Sequence, residues 1–257
     1  MVGSAADQRP TRAGYEDLRI IDAIWEKRNL GVTCVEATIE PADTIAEIRS
    51  QLAEASAQYM VVKLPAGRAD AMFCLSELGY AFIEASIHIT WKVAPLELSG
   101  LQRRMADGTG HALMDDADRQ VLWSELRKGI HNTDRASVDP HFAKERAAER
   151  YVGWIQDELA RGTDVYKLTL KGQAIGYFTM KHLGDGVYYP FLGGMYESHQ
   201  NSGLGFLVAY KPMCEVAARG GRSISTYIST NNERAIRIHV SLGFNFGQVT
   251  YVYVKHS

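Results

Sequence analysis

The stretch Gln200-Asn201-Ser202-Gly203-Leu204-Gly205 lies between an extended apolar segment and a segment with helical spacing. A strand that passes through such a loop into a helix points successive backbone N–H groups into one hollow. The helix dipole adds about half a positive charge at the same place. The two glycines remove side chains that would keep a phosphate out, and they tolerate positive φ. The loop reads as an anion cradle, against the plainer alternative of a turn that only starts a helix. Two other phosphate folds fail on residues. A dinucleotide fingerprint wants a third glycine where Val208 stands, and an acid at the end of the next strand, which residues 223–230 lack. A P-loop wants Gly-Lys-Ser/Thr, which the chain does not contain.

Around this loop the pattern alternates between helix and strand. The first dozen residues are polar and expected to fray. Strands are expected at 32–39 and 59–64, the latter stopped by Pro65. Helices are expected at 45–57 and 70–78, the second closed by Gly79 in a left-handed cap. Residues 80–93 read as extended, with Phe82, Ile87, Ile89 and Trp91 on one face. Residues 95–115 read as loose and carry the expected domain boundary. Beyond it come helices at 117–130 and 142–159, a hairpin of 165–170 and 173–181 turning at Lys171-Gly172, and a third strand over 186–196. A helix over 205–218, a strand over 223–230, a helix over 232–242 and a strand over 248–255 complete the order. Pro212 falls inside the first of these helices and implies a kink at Lys211. Strand, helix, Leu78-Gly79-Tyr80 and strand in the first half are echoed by strand, helix, Leu242-Gly243-Phe244 and strand at the end.

Gln-x-x-Gly-x-Gly between strand and helix resembles the acetyl-CoA signature of the GCN5-related N-acetyltransferase (GNAT) superfamily. Asn232-x-x-Ala235-Ile236-x-Ile238-His239-x-x-Leu242-Gly243-Phe244 is similar to that superfamily's second stretch, in the same order and with a strand between the two. The resemblance covers residues 112–257. It implies an α/β fold of the α+β kind: a mixed, mostly antiparallel sheet splayed open, with flanking helices. Residues 1–100 are then expected to be a truncated GNAT-like domain that lacks the glycine loop and binds no cofactor. It also implies that residues 200–205 hold the CoA pyrophosphate and that the Met195 backbone N–H polarises the acetyl carbonyl. Asn232 would cap the last helix and meet the pantetheine amide; a plain N-cap explains it equally well. Where the family often has a tyrosine that protonates the departing thiolate, this chain has His239, whose alternative is simple packing. Glu197, His199 and His182 are the candidate bases near the cleft, each also readable as an exposed loop residue.

Bulk properties exclude other classes. A formal net charge of −2, with no basic stripe, argues against a nucleic-acid-binding protein. Hydrophobic residues at 46% supply a core without a metal or disulfide staple, and three scattered cysteines suit a reducing cytoplasm. No metal is expected. The first ten residues hold no apolar run, so no secretory leader is expected, and no apolar run is long enough to span a membrane. The chain is expected to be cytoplasmic, with a homodimer as the default assembly.

The two-part layout further resembles dTDP-fucosamine acetyltransferase and related sugar-nucleotide N-acetyltransferases. The carriers are Thr133-Asp134-Arg135, Asp139-Pro140-His141-Phe142 and Arg150-Tyr151-Val152-Gly153-Trp154-Ile155. That resemblance implies acetyl transfer to the amine of a nucleotide-linked amino sugar, with Arg135 either meeting a phosphate bidentately or standing solvated in its loop. The other readings are a protein N-acetyltransferase and a non-catalytic acyl-CoA-binding module.

Overall fold

The fold begins with elements that the hydrophobic pattern does not announce. In the computed structural model, which describes residues 18–257 and so leaves the expected frayed segment outside, β1 (Arg19–Asp22) and α1 (Ile24–Asn29) come first. Then follow β2 (Cys34–Thr38), α2 (Ile45–Glu54), β3 (Tyr59–Pro65), α3 (Ala69–Glu77) and β4 (Ala81–Lys92). A capping box starts α2: Thr44 accepts from the Glu47 N–H and Glu47 reaches back to the Thr44 N–H. Gly79, at φ 81°, ends α3 in the left-handed conformation that favours glycine.

The segment 95–115 is not loose. It holds α4 (Gly100–Asp107) and β5 (Thr109–Leu113), and α4 opens on a Ser99/Gln102 capping box. The chain continues through α5 (Asp116–Arg127), the single turn α6 (Arg135–Val138), α7 (Lys144–Ala160), β6 (Asp164–Leu170) and β7 (Gln173–Gly184). Lys171 and Gly172, at φ 50° and 80°, make the tight turn between the last two.

The expected third strand is broken. It runs as β8 (Val187–Tyr189) and β9 (Gly193–Met195), interrupted by Pro190-Phe191-Leu192. The chain ends with α8 (Leu207–Ala218), β10 (Ser223–Ser229), α9 (Glu233–Ser241) and β11 (Asn245–His256). α8 includes Pro212 within its span.

Among the described residues, eleven strands form one mixed sheet in the order β1-β2-β3-β11-β4-β10-β8-β7-β6-β5, with β9 joined to β7. Only β2–β3 and β8–β10 pair in parallel. At the centre, β11 lies antiparallel between β3 and β4, and β4 lies antiparallel between β11 and β10. The last strand of each half is thus inserted into the sheet of the other.

Alternation along β4 sorts its side chains to two faces. Ile89 and Trp91 enter a core with Leu207, Met213 and Val216 of α8. A fully buried Ile or Leu there contributes about 1.5–3 kcal/mol. Phe82, expected on the same face, is 53% exposed and packs edge-on against Tyr251 and Tyr253. Among the described residues no helix is long and apolar enough to cross a membrane.

Candidate active site

The sheet opens between β9 and β10. Tyr196 N–H donates to Ile175 O at 2.9 Å, across the pairing that sets Met195 opposite Gly176. Because N–H directions alternate along a strand, the Met195 N–H faces away from β7. Among the described residues β9 has no partner on that side, so this N–H is aimed into the gap. Two residues before Met195, a Cβ at Gly193 would meet Val208 Cγ1 of α8 at 2.6 Å and Tyr177 O of β7 at 3.1 Å, so both elements crowd that position. Thr226 Oγ1 donates to Pro190 O at 2.8 Å and pins the break in the strand where the splay begins.

A cleft of about 700 Å³ occupies one side of this opening. It gathers Met195, Gln200, Asn201, Gly205, Asn232 and His239. In the loop, Asn201 and Gly203 take positive φ of 66° and 80°. Residues 204–206 then form one tight turn before α8. Ser202, Gly203 and Leu204 do not line the cleft: the Ser202 hydroxyl donates to His199 O at 2.6 Å, and Leu204 is buried in the core. A Cβ on Gly205 would meet only Ile238 Cδ1 at 3.6 Å, so its absence leaves room on the cleft side. Arg234 and Arg237 lie on the rim.

Asn232 caps α9, its side chain accepting from the Ala235 N–H at 3.0 Å. His239 Nδ1 is 2.7 Å from Ala235 O, and its ring meets Phe244 edge-on. Burial lowers the His239 pKa below the ordinary value, with the Ala235 contact opposing. A carbonyl only accepts, so Nδ1 carries the hydrogen, and neutral His239 presents the Nε2 lone pair elsewhere. A neutral imidazole donating to a thiolate is therefore not available; only the cation donates from Nε2.

A second hollow of about 290 Å³ lies across the opening and shares Gly193, Val208, Asn232 and His239 with the first. Its floor comes from β10 and from β4, which contributes Glu84 and Ser86. His131 lines both hollows, with Nε2 2.6 Å from the Tyr177 hydroxyl. Burial pushes its pKa down to about 4, so it is uncharged at neutral pH.

Arg135 borders the second hollow, and it does not stand solvated in its loop. Its side chain is 11% exposed, and one guanidinium nitrogen contacts Glu26 at 3.0 Å and Glu36 at 2.5 Å. Arg150 lies beside it, bound to Glu26 at 2.7 Å and Asp134 at 3.3 Å. Burial pushes Glu36 up, but Arg135 and Lys63 outweigh it and hold the carboxyl near about 2. These charges tie α1 and β2 to α6 and α7.

The three candidate bases separate. His199 lines the cleft. Glu197 is exposed and points to Lys128 at 3.6 Å; His182 is exposed and stacks on Tyr188. The residues that sequence reading missed are Glu84, Ser86 and His131. The signal for Glu84 was that it is the one acid in β4.

One group has the donor set for a cation outside both hollows. Asp139, His141 and His256 offer atoms within 4.8 Å of one another. The two Asp139 oxygens already serve His141 Nδ1 at 3.1 Å and His256 Nε2 at 2.8 Å.

No protein-family profile matches the chain, and a search of curated proteins found no match. Solved structures do match. A GCN5-related N-acetyltransferase from Sphaerobacter thermophilus aligns with TM-score 0.58 and 11% identity over 93% of this chain and 76% of its own. One from Kribbella flavida gives TM-score 0.52 and 17% identity over 87% and 81%. A glucosamine N-acetyltransferase region of a fungal GH3 β-N-acetylglucosaminidase gives TM-score 0.61 and 10% identity over 93% of this chain and 31% of that one. The chain has the fold of these proteins, a mixed sheet with flanking helices.

Proposed function

From that fold and the opening between β9 and β10, we propose that the protein transfers an acetyl group from acetyl-CoA directly to a small primary amine. The observation that carries the reading is the Met195 N–H directed into an unpaired gap, with a glycine loop at one end of the same cleft. In this reading the 200–205 loop holds the pyrophosphate through Gln200, Asn201 and Gly205, its residues on the cleft, and Arg234 on the rim favours the remaining phosphate. Asn232 turns its free amide nitrogen to the pantetheine arm while its oxygen caps α9. The Met195 N–H stabilises the oxyanion as the amine attacks, worth about 3–4 kcal/mol for one well-placed donor. His239 stands where the thiolate leaves.

The acceptor side is small. A hollow of about 290 Å³ suits an amine of monosaccharide size, such as the substrate named for the fungal neighbour. A nucleotide diphosphate would need a free cation in this hollow, and the charges of Arg135 and Arg150 are shared with Glu26, Glu36 and Asp134. A binding-only module would have no use for the second hollow. We further read residues 1–100 and 112–257 as two related units exchanging β4 and β11, with the cofactor loop in the second alone.

Calorimetry with acetyl-CoA, followed by thiol release on adding a panel of small amines, tests the reading. Micromolar binding and amine-dependent release of CoA are expected. A folded protein that does not bind acetyl-CoA would overturn it.

A further inference from the structure

We propose that Glu84 binds the acceptor's ammonium group and takes its proton, so that the first half of the chain supplies the base for chemistry on the second. The proposal rests on the acetyl-transfer reading above and adds the acceptor's charge and its anchor.

Glu84 is 8% exposed, and its Oε2 is buried with no hydrogen-bond partner among the described residues. A carboxylate in that position loses hydration without compensation unless a ligand supplies it. It lies on the floor of the second hollow, on the face of β4 opposite Ile89 and Trp91. Strand exchange puts it there. Ala85 N–H points to Thr230 Oγ1 at 3.3 Å and Thr230 N–H donates to Ala85 O at 2.7 Å, so the start of β4 lies beside the end of β10 and the Asn232 loop.

The Ser229 hydroxyl and the Arg135 backbone act on Glu84, but no facing group gives Oε2 a hydrogen bond. Arg135 is the cation that acts on it, and that charge is shared with Glu26 and Glu36. Asp134, the facing acid, is paired with Arg150. The Ser229 hydroxyl of β10 donates to Thr133 O at 3.2 Å. Val252 of β11, opposite Glu84, carries no charge. His131 and His239 across the hollow are both held toward the neutral form by burial. A carboxylate with a free oxygen, beside the aromatic rings of Tyr151 and Phe191, selects a small cationic amine with an apolar face.

The steps balance as follows. The ammonium R–NH₃⁺ gives one proton to Glu84 Oε2 and becomes R–NH₂. Its lone pair forms the N–C bond to the acetyl carbon, and the C–S bond breaks. A second nitrogen proton goes to the thiolate, giving CoA thiol and R–NH–acetyl, and Glu84 returns its proton to solvent. Burial raises the Glu84 pKa, with Ser229 and Arg135 opposing, which brings it nearer that of an amine.

The test compares wild type with Glu84→Gln and Glu84→Asp, using glucosamine and 2-phenylethylamine as probe amines. Acetyl-CoA affinity should be unchanged in Glu84→Gln, while kcat/KM falls about a hundredfold and the acidic limb of the pH profile disappears. Glu84→Asp should keep the limb with reduced kcat. Each amine should raise the melting temperature of wild type but not of Glu84→Gln. Without ligand, Glu84→Gln should melt higher than wild type at pH 8, the gap closing as pH falls and Glu84 takes up its proton. Failure of wild type to bind acetyl-CoA would overturn the acetyl-transfer reading itself. Acetyl-CoA binding with no response to either amine, or with an unchanged pH profile in Glu84→Gln, would overturn the Glu84 assignment alone.

Discussion

His239 Nδ1 lies 2.7 Å from the carbonyl oxygen of Ala235, one helical turn earlier. The carbonyl holds the Nδ1 hydrogen and leaves Nε2 bare in the neutral ring, so His239 can give a proton only as the cation. Burial holds its pKa below the ordinary 6.5 or so. If His239 assists CoA departure, the advantage of wild type over His239→Ala in kcat should be about a hundredfold at low pH. It should shrink as pH rises through a pKa below that ordinary value. A ratio that stays constant across the pH range would assign His239 to packing against Phe244.

The two loop glycines are expected to fail differently. Gly203 sits at φ 80°, so Gly203→Ala should lower stability by about 1 kcal/mol and weaken acetyl-CoA binding with it. Gly205 has room for a side chain toward the cleft, so Gly205→Val should leave the melting temperature close to wild type while abolishing acetyl-CoA binding. Calorimetry beside circular dichroism reads both. Unaltered affinity in folded Gly205→Val would remove the loop from the cofactor site.

Asn232→Ala removes the acceptor for the Ala235 N–H and should cost about 1 kcal/mol in chemical denaturation. A role toward pantetheine adds a second loss, a raised KM for acetyl-CoA. Asn232→Asp keeps the cap but not the amide N–H. It should therefore restore stability without restoring KM; if it restores both, the residue is a cap alone.

Glu26 is fully buried and faces both Arg135 and Arg150. Glu26→Ala strands two guanidinium groups and should cost about 3–5 kcal/mol, measured by urea unfolding. Glu36 adds an acid sensitivity. Its carboxyl is held from 4.5 down to about 2, so its contribution is complete above the unfolded value and is lost as pH falls from there to about 2. The midpoint of acid unfolding should move to higher pH in Glu36→Gln, which cannot titrate.

Much of the chain is readable from its sequence because the signals are local. The Lys171-Gly172 turn, the Gly79 and Gly243 helix stops and the Asn232 cap each depend on a residue's own φ preference or on a neighbour within one turn. The Ser99/Gln102 capping box is equally local, and it starts α4 inside the segment expected to be loose. Phe82 was misplaced because alternation was carried back through β4 by composition rather than by strict parity.

The sequence by itself determined the glycine loop ahead of α8, the repeat of helix, Leu-Gly-aromatic and strand, and the capped helix that follows, since each is written in short-range backbone chemistry. Tertiary structure alone decided that β4 lies between β10 and β11, and that β11 lies between β3 and β4. Strand pairing joins residues far apart in the chain, and an apolar strand fits many neighbours. That choice placed Glu84 on the floor of the second hollow with an oxygen unpartnered. The packing of α1 and β2 against α6 and α7 gave Arg135 to Glu26 and Glu36. Whether a charged side chain is solvated, paired or left waiting depends on which distant segment covers it, and no spacing within the chain encodes that.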